Sequence, residues 1–337
     1  LQFVLLTGVT KFSQVSVFSG FNQPKDISLD GRYEALCGIT EEELYHVFAD
    51  AMERLAIKYK YTLEQIKEKL KKQYDGYHFS DELTDIYNPF SILNVFDSNR
   101  IADYWFSTGT PTYLIRLLTH TQENLNELTG KYYDPSQFID YKADVEMPLP
   151  MIYQSGYLTI KDCDLDMGTF LLDFPNDEVK KGFVTLVANN YLQSEKDSGS
   201  WARDIVGALK TGDLEQVRKL LTSFLADVPY TMRRKETERE RERYFHYTFY
   251  LLMRMVSCYT VYTEKQQSEG RVDCIVETPL YIYIFEFKLD GTADEALQQI
   301  EEKGYARPYE ADKRKLFKVG TVFSSETGTI SEFAVRD

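Results

Sequence analysis

Cysteine is scarce: Cys37, Cys163, Cys258 and Cys274 lie far apart in 337 residues and form no CxxC pair. A disulfide scaffold is thereby excluded, each cysteine reads as a small core residue, and a reducing, cytoplasmic compartment is expected. Positive charge is also short, with 39 Lys and Arg against 53 Asp and Glu and a net charge of -14. A surface that coats nucleic acid or anionic lipid without specificity does not fit that balance, although a local basic groove does. The most apolar run, FHYTFYLLMRMVSCYTVY, is broken by Arg254 and too polar to cross a bilayer, and no signal peptide is visible, so no membrane partner is expected. No internal repeat, no low-complexity tract, no GxxxxGK[ST] phosphate loop and no apolar strand ending in paired acids occurs.

Aromatic residues are abundant, 25 Tyr and 21 Phe, which fits large cores with hydrogen-bonded rims. FVLLTG (3–8) reads as a continuous apolar strand of the parallel kind ended by Gly8. Because the chain opens directly inside that strand, the sequence is expected to be the remainder of a longer polypeptide. Residues 40–73 carry helical periodicity behind Thr40 and Glu43 in capping-box spacing, which predicts two helices around a break at Tyr61-Thr62. Asn88-Pro89 opens another helix, further helices are predicted over 110–129, 177–194, 201–210 and 213–226, and GYLTIKDC (156–163) reads as a strand. A charge-dense run, PYTMRRKETERERERYF, then opens a long helix whose charged face is read as solvated, and a domain boundary is placed near residue 228. RVDCIVE, YIYIFEFKL, TADEALQQIEEKGYA and KLFKVGTVFS follow as strand, strand, helix and strand.

The chemistry concentrates in GRVDCIVETPLYIYIFEFKLDG (270–291), where Glu286 and Lys288 interrupt a strand otherwise fit for burial. Closed symmetrically through Thr278-Pro279-Leu280-Tyr281, the hairpin sets Asp273 opposite Glu286 and Arg271 opposite Lys288, all on one face by strand alternation. Carboxylates opposed at about 5 Å between Cβ atoms repel, and a divalent cation removes the conflict. Mg²⁺ or Mn²⁺ prefers such hard oxygen ligands and keeps positions for water and a phosphate. The lysine two residues on can stabilise charge growing on phosphorus, a layout suited to phosphodiester cleavage. Glu242 and His246, at i and i+4 on the preceding helix, can add a further acid and a ligand. Thr292 and Glu295 cap the next helix and place Gln299 within reach of the site, with Tyr305 just beyond, while Lys313, Arg314, Lys315 and Lys318 can supply a positive wall. Plainer readings stand beside these: a buried four-charge network with Arg271 and Lys288, a structural His246 and a surface Gln299.

With those residues in view, 236–337 resembles the PD-(D/E)xK nuclease superfamily in the version fused to a bacterial AAA-like ATPase, on the words ERYFH, EGRVDCIVE, IFEFKLDGTADEAL, QIEEKGYA and VGTVFS. LLTGVTKFSQVSVFSGFNQPKDIS, CGITEEEL, YDGYHF, YNPFSIL, WFSTGTP, QSGYLTIK and FPNDEV resemble the upstream part of the same family. The resemblance implies Asp273 and Glu286 as metal ligands, Lys288 as the catalytic lysine, Glu242 as the helix acid and Gln299 as the motif glutamine; Val272 stands where the superfamily's name has Pro. FVLLTG resembles the family's later ATPase core strand, with Thr7 a sensor at its end. The phosphate loop would then lie upstream, so ATP belongs to the longer protein and this chain alone does not hydrolyse it.

The implied fold class is α/β: a partial P-loop-type ATPase core strand and helical region, then a restriction-endonuclease-like domain with a central mixed sheet. The implied divisions are 1–150, the mostly helical end of the ATPase module; 151–228, a helical connection; and 229–337, the nuclease-like domain. Three functions compete: a Mg²⁺- or Mn²⁺-dependent nuclease acting on nucleic acid, DNA first; a nuclease-like fold that binds nucleic acid or protein without cutting; and an ATPase switch with the C-terminal domain as scaffold. A homo-oligomer is compatible with each.

Overall fold

The computed structural model describes Leu5, Gly8 and residues 25–105, 128–139, 148–192, 198–228, 238–255, 259–267 and 270–337. The FVLLTG strand, Thr7 and nearly all of the helix expected over 110–129 lie outside the described residues. Two compact units divide the chain, Leu1–Phe183 and Val184–Asp337.

In the first unit β1 (Ile39–Thr40) leads into α1 (Glu41–Val47), α2 (Ala49–Tyr59) and α3 (Leu63–Tyr74). Thr40 with Glu43 and Thr62 with Gln65 form reciprocal capping boxes, which fix two of the three helix starts. The break expected near Tyr61 is made by Lys60, left-handed at φ 57°. Residues 40–73 form three helices where two were predicted, because the chain turns at Phe48 (φ -110°, ψ 20°) without losing its apolar face. The buried stripe Leu44, Met52, Leu55, Ile66 and Leu70 packs with Tyr74, Tyr87, Ile92 and Val95. β2 (Ile86–Tyr87) pairs with β1, and Asn88 caps α4 (Pro89–Ser98) from its side chain.

α5 (Leu149–Gln154) lies in the chain between the first and second strands of a three-stranded antiparallel sheet, whose spatial order is β3 (Lys131–Tyr133), β5 (Thr169–Asp173), β4 (Thr159–Asp164). α6 (Asp177–Leu192) then follows, and Glu178 in its first turn is fully buried. Its carboxylate accepts from the Ser91 hydroxyl at 2.7 Å and from the Tyr104 and Trp105 amides at 2.5 and 3.0 Å, which compensates the cost of burying it.

The second unit contains α7 (Ser198–Thr211), α8 (Leu214–Asp227), α9 (Glu238–Met255), β6 (Thr260–Gln267), β7 (Gly270–Glu277), β8 (Tyr281–Leu289), α10 (Ala293–Glu302), β9 (Lys315–Phe323) and β10 (Ile330–Arg336). Its five strands run in the order β10-β9-β8-β7-β6; β8 and β9 are parallel and the other neighbours antiparallel, so the sheet is mixed. Alternation along β8 sends Ile282 and Ile284 to α10, with Leu297 and Ile300, while Phe285 and Phe287 pack on Phe249 of α9. Gly320 is needed on β9, since a Cβ there would meet the Ala293 carbonyl at 2.3 Å; its absence lets α10 lie close over the sheet beside Glu286. β1, β2, β3, β5, β6 and β10 were not predicted as strands, nor α5 as a helix. The cysteine expectation also needs correction: Cys274 is buried, but Cys163 is half-buried and Cys37 exposed, because both sit outside the packed faces; Cys258 lies outside the described residues.

Candidate metal and phosphodiester site

The β7–β8 hairpin closes in the expected register, with Glu277 opposite Ile282 and Cys274 opposite Phe285. Registered pairing ends there. Beyond it the Asp273 carboxylate, rather than a backbone carbonyl, accepts from the Phe287 amide at 2.8 Å. Val272 and Ile275 both belong to the cluster that includes Leu297 and Ile300 of α10, and β7 keeps one register with β6 on its other side. Asp273 and Glu286 are therefore brought together where the strands part, and not by the flat ladder that the spacing alone implies.

Glu286 is 1% exposed. One carboxylate oxygen accepts a short hydrogen bond from the Gln299 amide nitrogen, and the Gln299 amide oxygen accepts from the Lys288 ammonium at 2.5 Å. The other oxygen, Oε2, is buried and has no hydrogen-bond partner among the described residues. Burial first, and the charge of neighbouring Asp273 second, push the Glu286 carboxyl up to about 8. Lys288 acts in the opposite direction. Gln299 reaches both groups because the Thr292–Glu295 capping box fixes the start of α10.

On α9, His246 Nδ1 stands 3.8 Å from Asp273 Oδ1, and its ring meets Phe287 edge-on with centroids 5.6 Å apart. Glu242 falls on α9, but its side chain lies outside the described residues. Tyr305 is buried, donates its hydroxyl to the Arg271 carbonyl at 2.9 Å, and has its phenol raised by burial and by the Glu286 charge. The expected basic wall is largely neutralised: Arg314 pairs with Glu277 and Asp312 at 2.8 and 2.7 Å, Lys315 with Asp337 at 2.8 Å, and Lys318 with Glu301 at 2.7 Å. Lys288 does not close a four-charge network on Glu286, since its ammonium donates to Gln299.

Among the described residues no group of three or more His, Cys, Asp and Glu side chains is gathered to hold a metal ion. The donor set consists of two carboxylates, which is within what Mg²⁺ takes from protein. The orphaned Glu286 oxygen is the feature that fits a cation, because a buried carboxylate oxygen without a partner is costly. No helix among the described residues is long and apolar enough to cross a membrane.

Residues 240–333 match the family model for the PD-(D/E)XK nuclease superfamily, which supports a domain of that superfamily from most of α9 through β9 and into β10. The mixed α/β architecture fits such a domain. Along its whole length the chain is 31% identical over 340 residues to an uncharacterized protein in the vnfD 5' region of Azotobacter chroococcum mcd 1, and it spans 63% of that relative. No solved structure matches the chain.

Proposed function

We propose that residues 229–337 form a metal-dependent nuclease domain that hydrolyses phosphodiester bonds of nucleic acid, DNA first. The observation that carries this reading is the chain Lys288–Gln299–Glu286, ending in a buried, unpartnered carboxylate oxygen beside Asp273. Asp273 and Glu286 would hold Mg²⁺ or Mn²⁺, with Glu242 as a further acid from α9. A divalent cation bound there supplies Lewis acidity toward a phosphate oxygen. Gln299 fixes two groups at once: it holds the Glu286 carboxylate by its amide nitrogen and the Lys288 ammonium by its amide oxygen. Lys288 is thereby aimed at the place where charge develops as water adds to phosphorus, the P–O bond to the leaving oxygen breaks, and that oxygen takes up a proton.

Further proposals concern the longer protein. Residues 1–150 are the later part of an AAA-like ATPase module and 151–228 a helical connection; Thr7 is a sensor of bound nucleotide. ATP serves the longer protein, and this chain alone does not bind it. The protein works in the cytoplasm, and a homo-oligomer is compatible with it.

A second reading is favoured by one observation, the lack of a third gathered ligand among the described residues: a nuclease-like module that binds nucleic acid or protein without cutting. Incubation of the chain with single- and double-stranded DNA and Mn²⁺, beside Lys288→Ala, separates the two. Cleavage by the parent chain and its loss in the variant supports the nuclease; bound but uncut DNA replaces it with the second reading.

A further inference from the structure

The end of α10 carries one more buried polar group toward the candidate site. The helix closes in a Schellman turn: Gly304, left-handed at φ +60°, donates its amide to the Glu301 carbonyl at 3.0 Å, and the Tyr305 amide donates to the Ile300 carbonyl at 3.1 Å. The apolar contact usual for this turn brings Tyr305 into the cluster that holds Ile300 and Leu297 of α10 and Val272 of β7, where it is 1% exposed. The Gln267 side-chain amide donates to the Tyr305 carbonyl at 3.4 Å. Glycine at 270 leaves room for the ring, since a Cβ there would stand 2.9 Å from the phenol oxygen.

The hydroxyl donates to the Arg271 carbonyl at 2.9 Å, three residues beyond the last registered pair of β7 with β8 and two before Asp273. Its single proton is thereby committed, so toward any further neighbour the oxygen only accepts. Gln299 is such a neighbour: burial first and the Glu286 charge second push the phenol up, the hydrogen bond with the Gln299 side chain opposes them, and the Asp273 charge adds to the rise. A glutamine side chain has two N–H donors and one carbonyl acceptor. Glu286 takes one N–H, and the Lys288 ammonium takes the carbonyl at 2.5 Å. The second N–H is what remains to meet the phenol oxygen. A flipped amide would set oxygen against the Glu286 carboxylate, oxygen against the phenol and nitrogen against the Lys288 ammonium, three mismatched contacts in place of three hydrogen bonds.

We propose that Tyr305 is a positioning residue of this site: its hydroxyl, fixed on β7, accepts the second N–H of Gln299 and so locks the amide with its nitrogen on Glu286 and its oxygen on Lys288. Through Gln299 it reaches Glu286 on β8, and through the Arg271 carbonyl it holds the strand that carries Asp273. Buried as it is, the tyrosine does not reach substrate and acts on the rate through Gln299. Without the hydroxyl the amide keeps two partners but gains freedom about its last bond, and the Lys288 ammonium moves with it. The consequence for rate rests on the nuclease reading; the contact itself does not.

Two variants of the whole chain test this. Tyr305→Phe keeps the ring and removes the hydroxyl, while Ile282→Val, in the same cluster, loosens packing without touching a polar group. Steady-state DNA cleavage with Mn²⁺ should show kcat lowered roughly tenfold in Tyr305→Phe with KM unchanged, and parent values in Ile282→Val. Nuclear magnetic resonance of the metal-free chain, labelled at glutamine side chains, reads the contact apart from cleavage. The Gln299 amide pair, assigned by its loss in Gln299→Glu, should shift in Tyr305→Phe and stay in place in Ile282→Val. Gly270→Ala, which keeps the hydroxyl and crowds it, should reproduce both effects and takes over where Tyr305→Phe does not fold. Parent kcat in a folded Tyr305→Phe, a fall no greater than in Ile282→Val, or a Gln299 amide that keeps its resonances overturns the proposal. If the parent chain cuts no DNA, the nuclease reading fails, and the amide resonances alone decide the role of Tyr305.

Discussion

Replacing Glu286 by Gln probes the site through stability rather than through activity. The carboxyl is 1% exposed, and its burial, with Asp273 beside it, raises it from 4.5 to about 8. Since this folded-state value lies above that of the unfolded chain, folding favours the protonated form. The stability Glu286 contributes is therefore full below pH 4.5, is lost as pH climbs through the interval to about 8, and changes no further above it. At 1.36 kcal/mol for each tenfold change in proton affinity, the displacement amounts to at most about 5 kcal/mol. Gln keeps an acceptor for Gln299 and removes the charge. In metal-free urea melts between pH 4.5 and 8.5, the parent chain should lose stability relative to Glu286→Gln by an amount approaching that figure. Mn²⁺ at pH 8 should return part of the loss to the parent and none to the variant. Parallel pH curves for the two proteins would refute the reasoning, because Glu286 would then be as well solvated in the fold as in the unfolded chain.

Other expectations are more local. Gln299→Leu should lower cleavage roughly 100-fold, as a misplaced lysine costs the transition state, and should also lower the melting temperature, since the buried Glu286 oxygen loses its donor; DNA cleavage and thermal melts measured together check this. Gly320→Ala should destabilise by about 2 kcal/mol or more, because a Cβ 2.3 Å from the Ala293 carbonyl lifts α10, and urea unfolding reads it. Glu178→Ala should cost about 3 kcal/mol or more, leaving the Tyr104 and Trp105 amides without their acceptor, again by urea unfolding. Asp75, raised to about 6 by burial, contributes stability that is full below 3.8 and lost as pH rises through 6. Asp75→Asn should therefore be about 3 kcal/mol more stable than the parent at pH 7, read by urea unfolding.

Much of the second unit could be read directly because its signals are local. The turn at Thr278–Tyr281 sets the hairpin register, alternation along YIYIFEFKL separates the α9 and α10 faces, and Thr292 with Glu295 starts the helix that carries Gln299. β6 and β10 were missed for physical reasons. β10 is an edge strand with Ser331, Glu332 and Arg336 exposed, so its alternation is polar, and β6, TVYTEKQQ, is the opposite edge strand and mostly polar. The irregularity at Asp273 depends on a side chain replacing a backbone acceptor, which strand spacing cannot encode. Neutralisation of Arg314, Lys315 and Lys318 depends on acids brought in by folding from positions 277, 301 and 337. The burial of Asp75 is likewise invisible in YDGYHF, where an acid before glycine reads as an ordinary turn.

The central claim, that Asp273 and Glu286 share one cation, is tested most directly by counting Mn²⁺ bound to the whole chain by electron paramagnetic resonance, for the parent, Asp273→Asn and Glu286→Gln. One tightly held ion per parent chain, absent from both variants, is the predicted result. No bound ion in the parent, or one that persists in both variants, would contradict the account.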